Sequence, residues 1–343
     1  MNYRAFLNTV GTRAHSLPIV ILYVTAGCNL RCMTCSYRDP LPSEMTVDEY
    51  KELFKHLQQM GLRRVVYSGG EPLMRKDFLE ICRIAERTGV RQTLLTNGLL
   101  LEKRAKEILP FFEEVIISLD GPDAMTHNSI RGLECFDQIV RGIEAMVGNT
   151  NKPSLSVRFV VQRRNFRKLD EMVVFAKGLG IDRLSFLAAD VQSDAFHRDR
   201  VGPVAPSVDI LLDPEECAVF RESVKDLLQK RKSEFLTHFI AETPGKMIHL
   251  VEYFEAHQGI SPFPRNECNA PSVSLVISST GDVLPCYFLP SFGNVRSRPL
   301  PDLLNTPEIR ETRTDVRAYR LKECHQCVCT LKIHPFNALL DAF

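Results

Sequence analysis

Short apolar runs alternate with amphipathic stretches through the first 190 residues of the chain. The runs Val20–Thr25, Arg64–Ser68, Gln92–Thr96, Glu114–Ser118, Leu155–Val161 and Arg183–Leu187 have the β-branched and aromatic content of buried strands. Between them, apolar positions recur at helical spacing. One helix is predicted to start at Thr46, where Glu49 completes a capping box, and to stop at Gly61. Others are predicted from Asp77 to Thr88, Glu102 to Leu109, Phe136 to Met146 and Arg167 to Lys177. Strand–helix units in series require a parallel sheet with right-handed crossovers. The expected fold is therefore α/β, a partial (β/α)6 barrel. Such barrels carry their functional groups at the C-terminal ends of the strands. Cys28, Cys32 and Cys35, Gly69-Gly70-Glu71, Thr96-Asn97-Gly98 and Ser118-Leu119-Asp120-Gly121 all fall there, and would share one rim.

The alternation breaks after residue 190. Pro203, Pro206 and Pro214 mark loops, and helices are predicted over Pro214–Arg231 and Gly245–His257. Further on, Val273–Ser278 and Val283–Phe288 flank Ser279-Thr280-Gly281-Asp282 and read as a β-hairpin. The expected organisation is a barrel core over 1–190, a helical connecting segment over 191–261, and a small α+β domain over 262–343.

A length of 343 residues with 44% hydrophobic and 25% charged residues allows a sizeable core plus a smaller domain. A net charge of +1 gives no push toward nucleic acid or a membrane surface. No apolar run is of bilayer-spanning length, and no signal-peptide core follows Arg4, Arg13 and His15, so a cytoplasmic location is expected.

Eleven cysteines change the picture, because disulfides are disfavoured in that compartment. Cys82, Cys135 and Cys217 stand alone in the helical stretches and read as core packing. The others gather. Cys28, Cys32 and Cys35 follow a strand directly, and three thiolates at these spacings can converge from one loop onto one metal centre. Three is one short of a closed zinc or iron–sulfur site, and catalytic metal sites keep an open position. The alternatives are a zinc loop with a distant fourth ligand, or unrelated thiols. Zinc loops usually pair one C-x-x-C with another, and none lies nearby.

This C-x3-C-x2-C after the first strand resembles the signature of the radical S-adenosylmethionine (SAM) superfamily. Gly69-Gly70-Glu71-Pro72 is similar to its GGEP motif, Ser118 and Asp120 to its ribose-binding positions, and Thr96-Asn97-Gly98 ends the third strand as in related enzymes. The resemblance implies that Cys28, Cys32 and Cys35 bind a catalytic four-iron cluster. It implies that Gly69, Gly70, Glu71, Asn97, Ser118 and Asp120 bind S-adenosylmethionine, with the Glu71 carboxylate and neighbouring backbone meeting the methionine amino group. The chain departs from the family at Thr34, where an aromatic residue often packs on adenine, and Tyr37 is a candidate substitute. Arg158 on the fifth strand reads as exposed or structurally paired.

Cys268, Cys286, Cys324, Cys327 and Cys329 form the second group. Together with Gly281-x4-Cys286, Gly293-Asn294-Val295 and Leu303-Leu304-Asn305, it resembles the SPASM or twitch extension, which carries auxiliary iron–sulfur clusters. Four thiolates close one four-iron cluster. Cys268, Cys286, Cys324 and Cys327 are the expected set, with Cys329 able to replace either of the last two, and a structural zinc site on the same thiolates is the alternative. His325 and His334 read as bland.

The resemblance further implies reductive cleavage of S-adenosylmethionine to a 5′-deoxyadenosyl radical. That radical would take hydrogen from an unactivated carbon of a peptide or small molecule. A separate flavodoxin-like or ferredoxin-like electron donor is implied as well. The short stretch before the first strand is expected to leave no room for a separate peptide-recognition domain. Residues 190–262 match no known pattern and are expected to help shape the substrate pocket. Competing readings are a cofactor, sugar or lipid-precursor enzyme of the same superfamily, a non-catalytic iron–sulfur sensor, and a zinc-stabilised barrel. A non-catalytic protein leaves the GGEP motif, Ser118 and Asp120 unexplained.

Overall fold

A computed structural model describes residues 2–340 of the chain. Among them, nine strands form one sheet: β1 (Ile19–Thr25), β2 (Arg64–Gly69), β3 (Arg91–Thr96), β4 (Glu114–Ser118), β5 (Ser154–Val161), β6 (Arg183–Ala188), β7 (Ser274–Ile277), β8 (Asp282–Leu284) and β9 (Gly293–Asn294). The order across the sheet is β6-β5-β4-β3-β2-β1-β7-β8-β9. β1 to β6 pair in parallel in chain order, with helices in the crossovers, as the alternating pattern requires. The sheet has two free ends, β6 and β9, and is an open partial barrel.

The expected hairpin forms, but it is not separate from the barrel sheet. β7 pairs in parallel with β1, from Ile19 opposite Ser274 to Leu22 opposite Ile277, and β8 and β9 continue antiparallel. All four residues of β7 are buried, which only a central strand permits. One face of β1 (Val20, Leu22, Val24) joins the main core under the helices. The other face (Ile19, Ile21) meets Val276, with Tyr23, Leu284 and Tyr287 packed around them.

Most predicted helices stand within a residue or two of their expected limits. Val47–Gln59 begins with the capping box in place, Glu49 Oε2 accepting from Thr46 N at 2.7 Å. Pro214–Lys230 and Pro244–His257 pack through Phe220 and Phe254, edge to face at 5.8 Å. Beside them residues 239–241 cover the β6 edge, where Leu184 N donates to Phe239 O at 2.7 Å and Ala241 N donates to Leu184 O at 2.9 Å. Cys82, Cys135 and Cys217 are buried core thiols, as expected.

Among the described residues three helices of eight residues or more were not legible, Tyr3–Val10, Ala124–Arg131 and Pro307–Arg317, nor were several of four or five residues. Ala124–Arg131 (AMTHNSIR) has no broad apolar stripe. Asp123 caps its start by accepting from Thr126 N, and Gly132 ends it at φ 69°. Among the described residues no helix is long and apolar enough to cross a membrane.

Candidate active site

β1 delivers the chain into the loop that carries Cys28, Cys32 and Cys35, and three neighbours hold that loop. From β2, Gly70 N donates to Thr25 O and Glu71 N to Gly27 O, both at 2.8 Å. A Cβ on Gly70 would lie 2.1 Å from Gly27 O, and one on Gly69 2.5 Å from Thr25 O. The glycine pair therefore admits the cysteine loop's own backbone, a tighter demand than approach to a ligand. From the end of the Ala124–Arg131 helix, the carbonyls of Arg131 and Ile130 accept from Arg31 N and Met33 N at 3.1 Å. A Cβ on Gly132 would lie 2.4 Å from Arg31 O, so this docking requires glycine there. From the third side, Ser36 N donates to Phe196 O at 2.9 Å and Ser36 Oγ to Gly202 O at 2.6 Å.

Cys32 is buried, and Cys28 and Cys35 are half-buried. Burial pushes the Cys28 thiol up, and Cys35 up to about 12, with the neighbouring Cys32 adding to both. Such thiols stay protonated when free, and metal binding would expel their protons. Two donors face the sulfurs. Asn97 Nδ2 lies 3.9 Å from Cys28 Sγ, and Arg131 Nη1 lies 3.7 Å from Cys32 Sγ. Three mutually interacting thiols with donors turned toward them fit a cluster held on three corners.

The four rim segments do converge, but the carboxylates are turned inward. Glu71 is fully buried and accepts from Leu73 N, Thr96 Oγ1 and Asn97 N at 2.7–3.0 Å. Three local donors hold it, two on Oε1 and one on Oε2, which leaves one of the about four acceptor positions of a carboxylate. Asp120 is likewise buried, paired with Arg131 Nη2 at 2.7 Å and accepting from Val160 N at 2.8 Å. Asn97 reaches the loop directly, donating to Asn29 Oδ1 at 2.7 Å. Ser118 is half-buried at the end of β4.

Arg131, unnoticed in the sequence, links these groups: it touches Cys32 and Asp120 at once, and its Nε is buried without a partner. The available signal was a basic residue just before a glycine, after Ser118-Leu119-Asp120-Gly121.

The second set of thiols also comes together. Cys268, Cys286, Cys324, Cys327 and Cys329 line one small cavity with Phe288 and Tyr319. Cys327 Sγ accepts from Cys329 N at 3.4 Å, which seats the two side by side despite their closeness in sequence. A single zinc ion would hold sulfurs at about 2.3 Å from itself. Among the described residues no three His, Cys, Asp or Glu side chains, in this set or in the Cys28–Cys35 loop, are gathered closely enough to hold one metal ion. Five thiols around one cavity fit a thiolate-ligated cluster with one thiol in reserve.

Residues 22–176 match the model of the radical SAM superfamily, and residues 268–328 that of SPASM, an iron–sulfur cluster-binding domain. The chain belongs to the radical SAM superfamily. Its cofactors are accordingly a four-iron cluster with S-adenosylmethionine and auxiliary iron–sulfur in the SPASM part. The AdoMet-dependent heme synthase of Methanosarcina barkeri is 29% identical over 83% of this chain and 81% of its own length. The mycofactocin maturase MftC of Mycolicibacterium smegmatis is 28% identical over 80% of this chain and 66% of its own. In fold, the chain is similar to Streptococcus suis SuiB bound to its precursor peptide SuiA (TM-score 0.65, 17% identity, 93% of this chain and 72% of that one). It is also similar to anSMEcpe with bound AdoMet and a peptide (TM-score 0.63, 20% identity, 96% of each chain).

In this radical SAM enzyme a cavity of about 690 Å³ opens beside the cysteine loop. Tyr37, two residues past Cys35, forms one wall, and Cys327 another. Residues 190–200, the start of the segment expected to shape the substrate pocket, supply a further wall. A buried Asp190–Arg198 pair at 2.7 Å fixes this segment. Phe196 and His197 adopt φ 60° and 69°, left-handed values that non-glycine residues take at a cost of about 1 kcal/mol or more each. That turn lays the His197 ring over Tyr37 at 5.1 Å and leaves His197 Nε2 buried and unpartnered. Tyr37, the candidate adenine platform, is thus already covered on one face.

Proposed function

We propose that Cys28, Cys32 and Cys35 hold the catalytic cluster, and that Cys268, Cys286, Cys324 and Cys327 hold the auxiliary one. Gly69, Gly70, Glu71, Asn97, Ser118 and Asp120 build the S-adenosylmethionine seat. Glu71 acts through the Asn97 loop, and Asp120 through Arg131, whose spare N–H suits a carboxylate. When bound, the reduced cluster and S-adenosylmethionine supply a 5′-deoxyadenosyl radical that takes hydrogen from an unactivated carbon. Residues 1–190, 191–261 and 262–343 serve as catalytic barrel, connecting segment and auxiliary domain. A flavodoxin-like or ferredoxin-like donor and a cytoplasmic setting belong to the same reading.

The observation that carries it is the single cavity with Tyr37, two residues past Cys35, on one wall and Cys327 on another: a molecule held there lies between the cysteine loop and the auxiliary thiols. Its volume lies in the range of about 300–1,000 Å³ usual for ligand pockets, which suits a peptide segment or a small molecule. The peptide-bound SuiB and anSMEcpe support a peptide substrate. The heme synthase relatives support a small molecule.

After anaerobic reconstitution, about 8 irons per chain are expected for two four-iron clusters. Cys32→Ala should retain about 4 and lose all cleavage of S-adenosylmethionine. Retained cleavage, or an unchanged iron count, would overturn the assignment.

A further inference from the structure

The sheet ends at β6, whose edge residues 239–241 cover, and a second cavity of about 540 Å³ lies along that side. Arg158, Ser185, Glu242, Lys246, Arg265 and Cys329 are among its lining residues. Arg158 sits on β5 in register with Ser118, so it is level with the end of β4. Its Nε is buried without a hydrogen-bond partner. Glu242, the carboxylate nearest in charge, is held elsewhere: it accepts from Ser185 Oγ and Phe186 N, both at 2.8 Å. Lys246 Nζ has a single long contact, 3.3 Å to Asn266 Oδ1, in a setting buried enough to push its ammonium down. Arg265 stacks over Tyr319 at 5.3 Å, and Glu267 is paired with Lys332. The cavity therefore holds three cations and two carboxylates; Glu267 is paired, and Glu242, while it attracts Arg158 and Lys246, hydrogen-bonds to neither.

A guanidinium carries five donors, and leaving them unmet in a buried place is unfavourable. A carboxylate matches its planar fork at two points, and Lys246 offers a second cation on the same cavity. Arg158 also acts electrostatically on Tyr287 and Cys329, which border the main cavity and the auxiliary thiols respectively. We propose that this side cavity binds a carboxylate of the enzyme's second substrate, gripped by Arg158 and Lys246. The identity of that ligand as substrate rests on the radical SAM reading; the binding itself does not.

The test is a calorimetric titration of the cluster-loaded protein with glutarate, and separately with inorganic phosphate, under anaerobic conditions. Glutarate is expected to bind and to shield Arg158 from phenylglyoxal, read by mass spectrometry of the labelled peptide. Arg158→Met and Lys246→Met should each weaken glutarate by about tenfold or more, the loss of one charge-assisted hydrogen bond, at unchanged iron content. Equal glutarate affinity in both variants would overturn the site, and binding of phosphate alone would overturn the carboxylate assignment. If Arg158→Met loses iron, Lys246→Met and the shielding of wild-type Arg158 decide the matter. Neither readout needs cleavage of S-adenosylmethionine, so failure here and failure of the catalytic assignment are separable.

Discussion

Glu71 has both carboxylate oxygens engaged: Oε1 accepts from Leu73 N and Thr96 Oγ1, and Oε2 from Asn97 N. Burial raises its pKa to about 7, against the pull of these donors. The side chain thereby joins the end of β2 to the end of β3 and aims Asn97 at Asn29 and Cys28. Glu71→Gln replaces one acceptor with an NH2 group that cannot accept from Asn97 N or Thr96 Oγ1. The expected result is a loss of about 1–3 kcal/mol in unfolding free energy, with weaker S-adenosylmethionine binding. Denaturant titration and a binding isotherm check it, and an unchanged midpoint would show that the strut carries no load. The motif around Glu71 was legible from its glycines and its place after a strand. The partners of its carboxylate were not, because Leu73, Thr96 and Asn97 come within reach only when β2 and β3 lie side by side.

At the scale of elements, contacts far apart in sequence decide how the cysteine loops are presented. Arg296, just past β9, pairs with Glu49 in the first turn of the Val47–Gln59 helix at 2.5 and 3.1 Å and donates to Ser43 O at 2.8 Å. The Arg296 guanidinium is the main reason Glu49 titrates at about 2. A carboxylate depressed in this way contributes stability above its unfolded value of 4.5, and loses it as pH falls toward about 2. Both partners are about one-third exposed, so the contribution is under about 1 kcal/mol. Amide protection in residues 280–296 should therefore decline on acidification through that window, and Arg296→Met should remove this part of the decline. Hydrogen exchange at stepped pH reads it; an identical profile in the variant would discount the pair. The Ala124–Arg131 helix shows the limit of sequence patterns at this scale. It docks by its terminal carbonyls and by Gly132 rather than by an apolar stripe, so periodicity could not report it.

The whole molecule is tied through Arg313, 1% exposed, which donates to Thr12 O, Pro271 O and Leu304 O at 2.7–3.2 Å. Burial lowers its pKa to about 10, so it stays charged at neutral pH, held by these carbonyls and by Asn305 Oδ1 at 3.4 Å. Asn305 and Ala14 exchange two further hydrogen bonds, at 2.8 and 2.9 Å. The start of the chain, the turn at Pro271 that leads into β7 and the tail thus share one polar knot. Arg313→Met orphans these carbonyls, and a loss of about 3 kcal/mol is expected. Because the knot joins both ends, the variant should still unfold in one transition at a lower midpoint. A new early transition confined to the tail would refute that coupling.

The sequence by itself determined the parallel α/β core, the strand ends and the cysteine spacings, because burial period, capping and chelate spacing are local properties of the chain. Tertiary structure alone decided that β7 would extend the barrel sheet and that Glu71 and Asp120 would face inward. It also decided that Arg131 would stand against Cys32, and that Arg158 would line the β6 side with its Nε unpartnered. Each of these depends on which distant groups arrive at the same point, and so on how the whole chain divides limited interior space among its polar atoms.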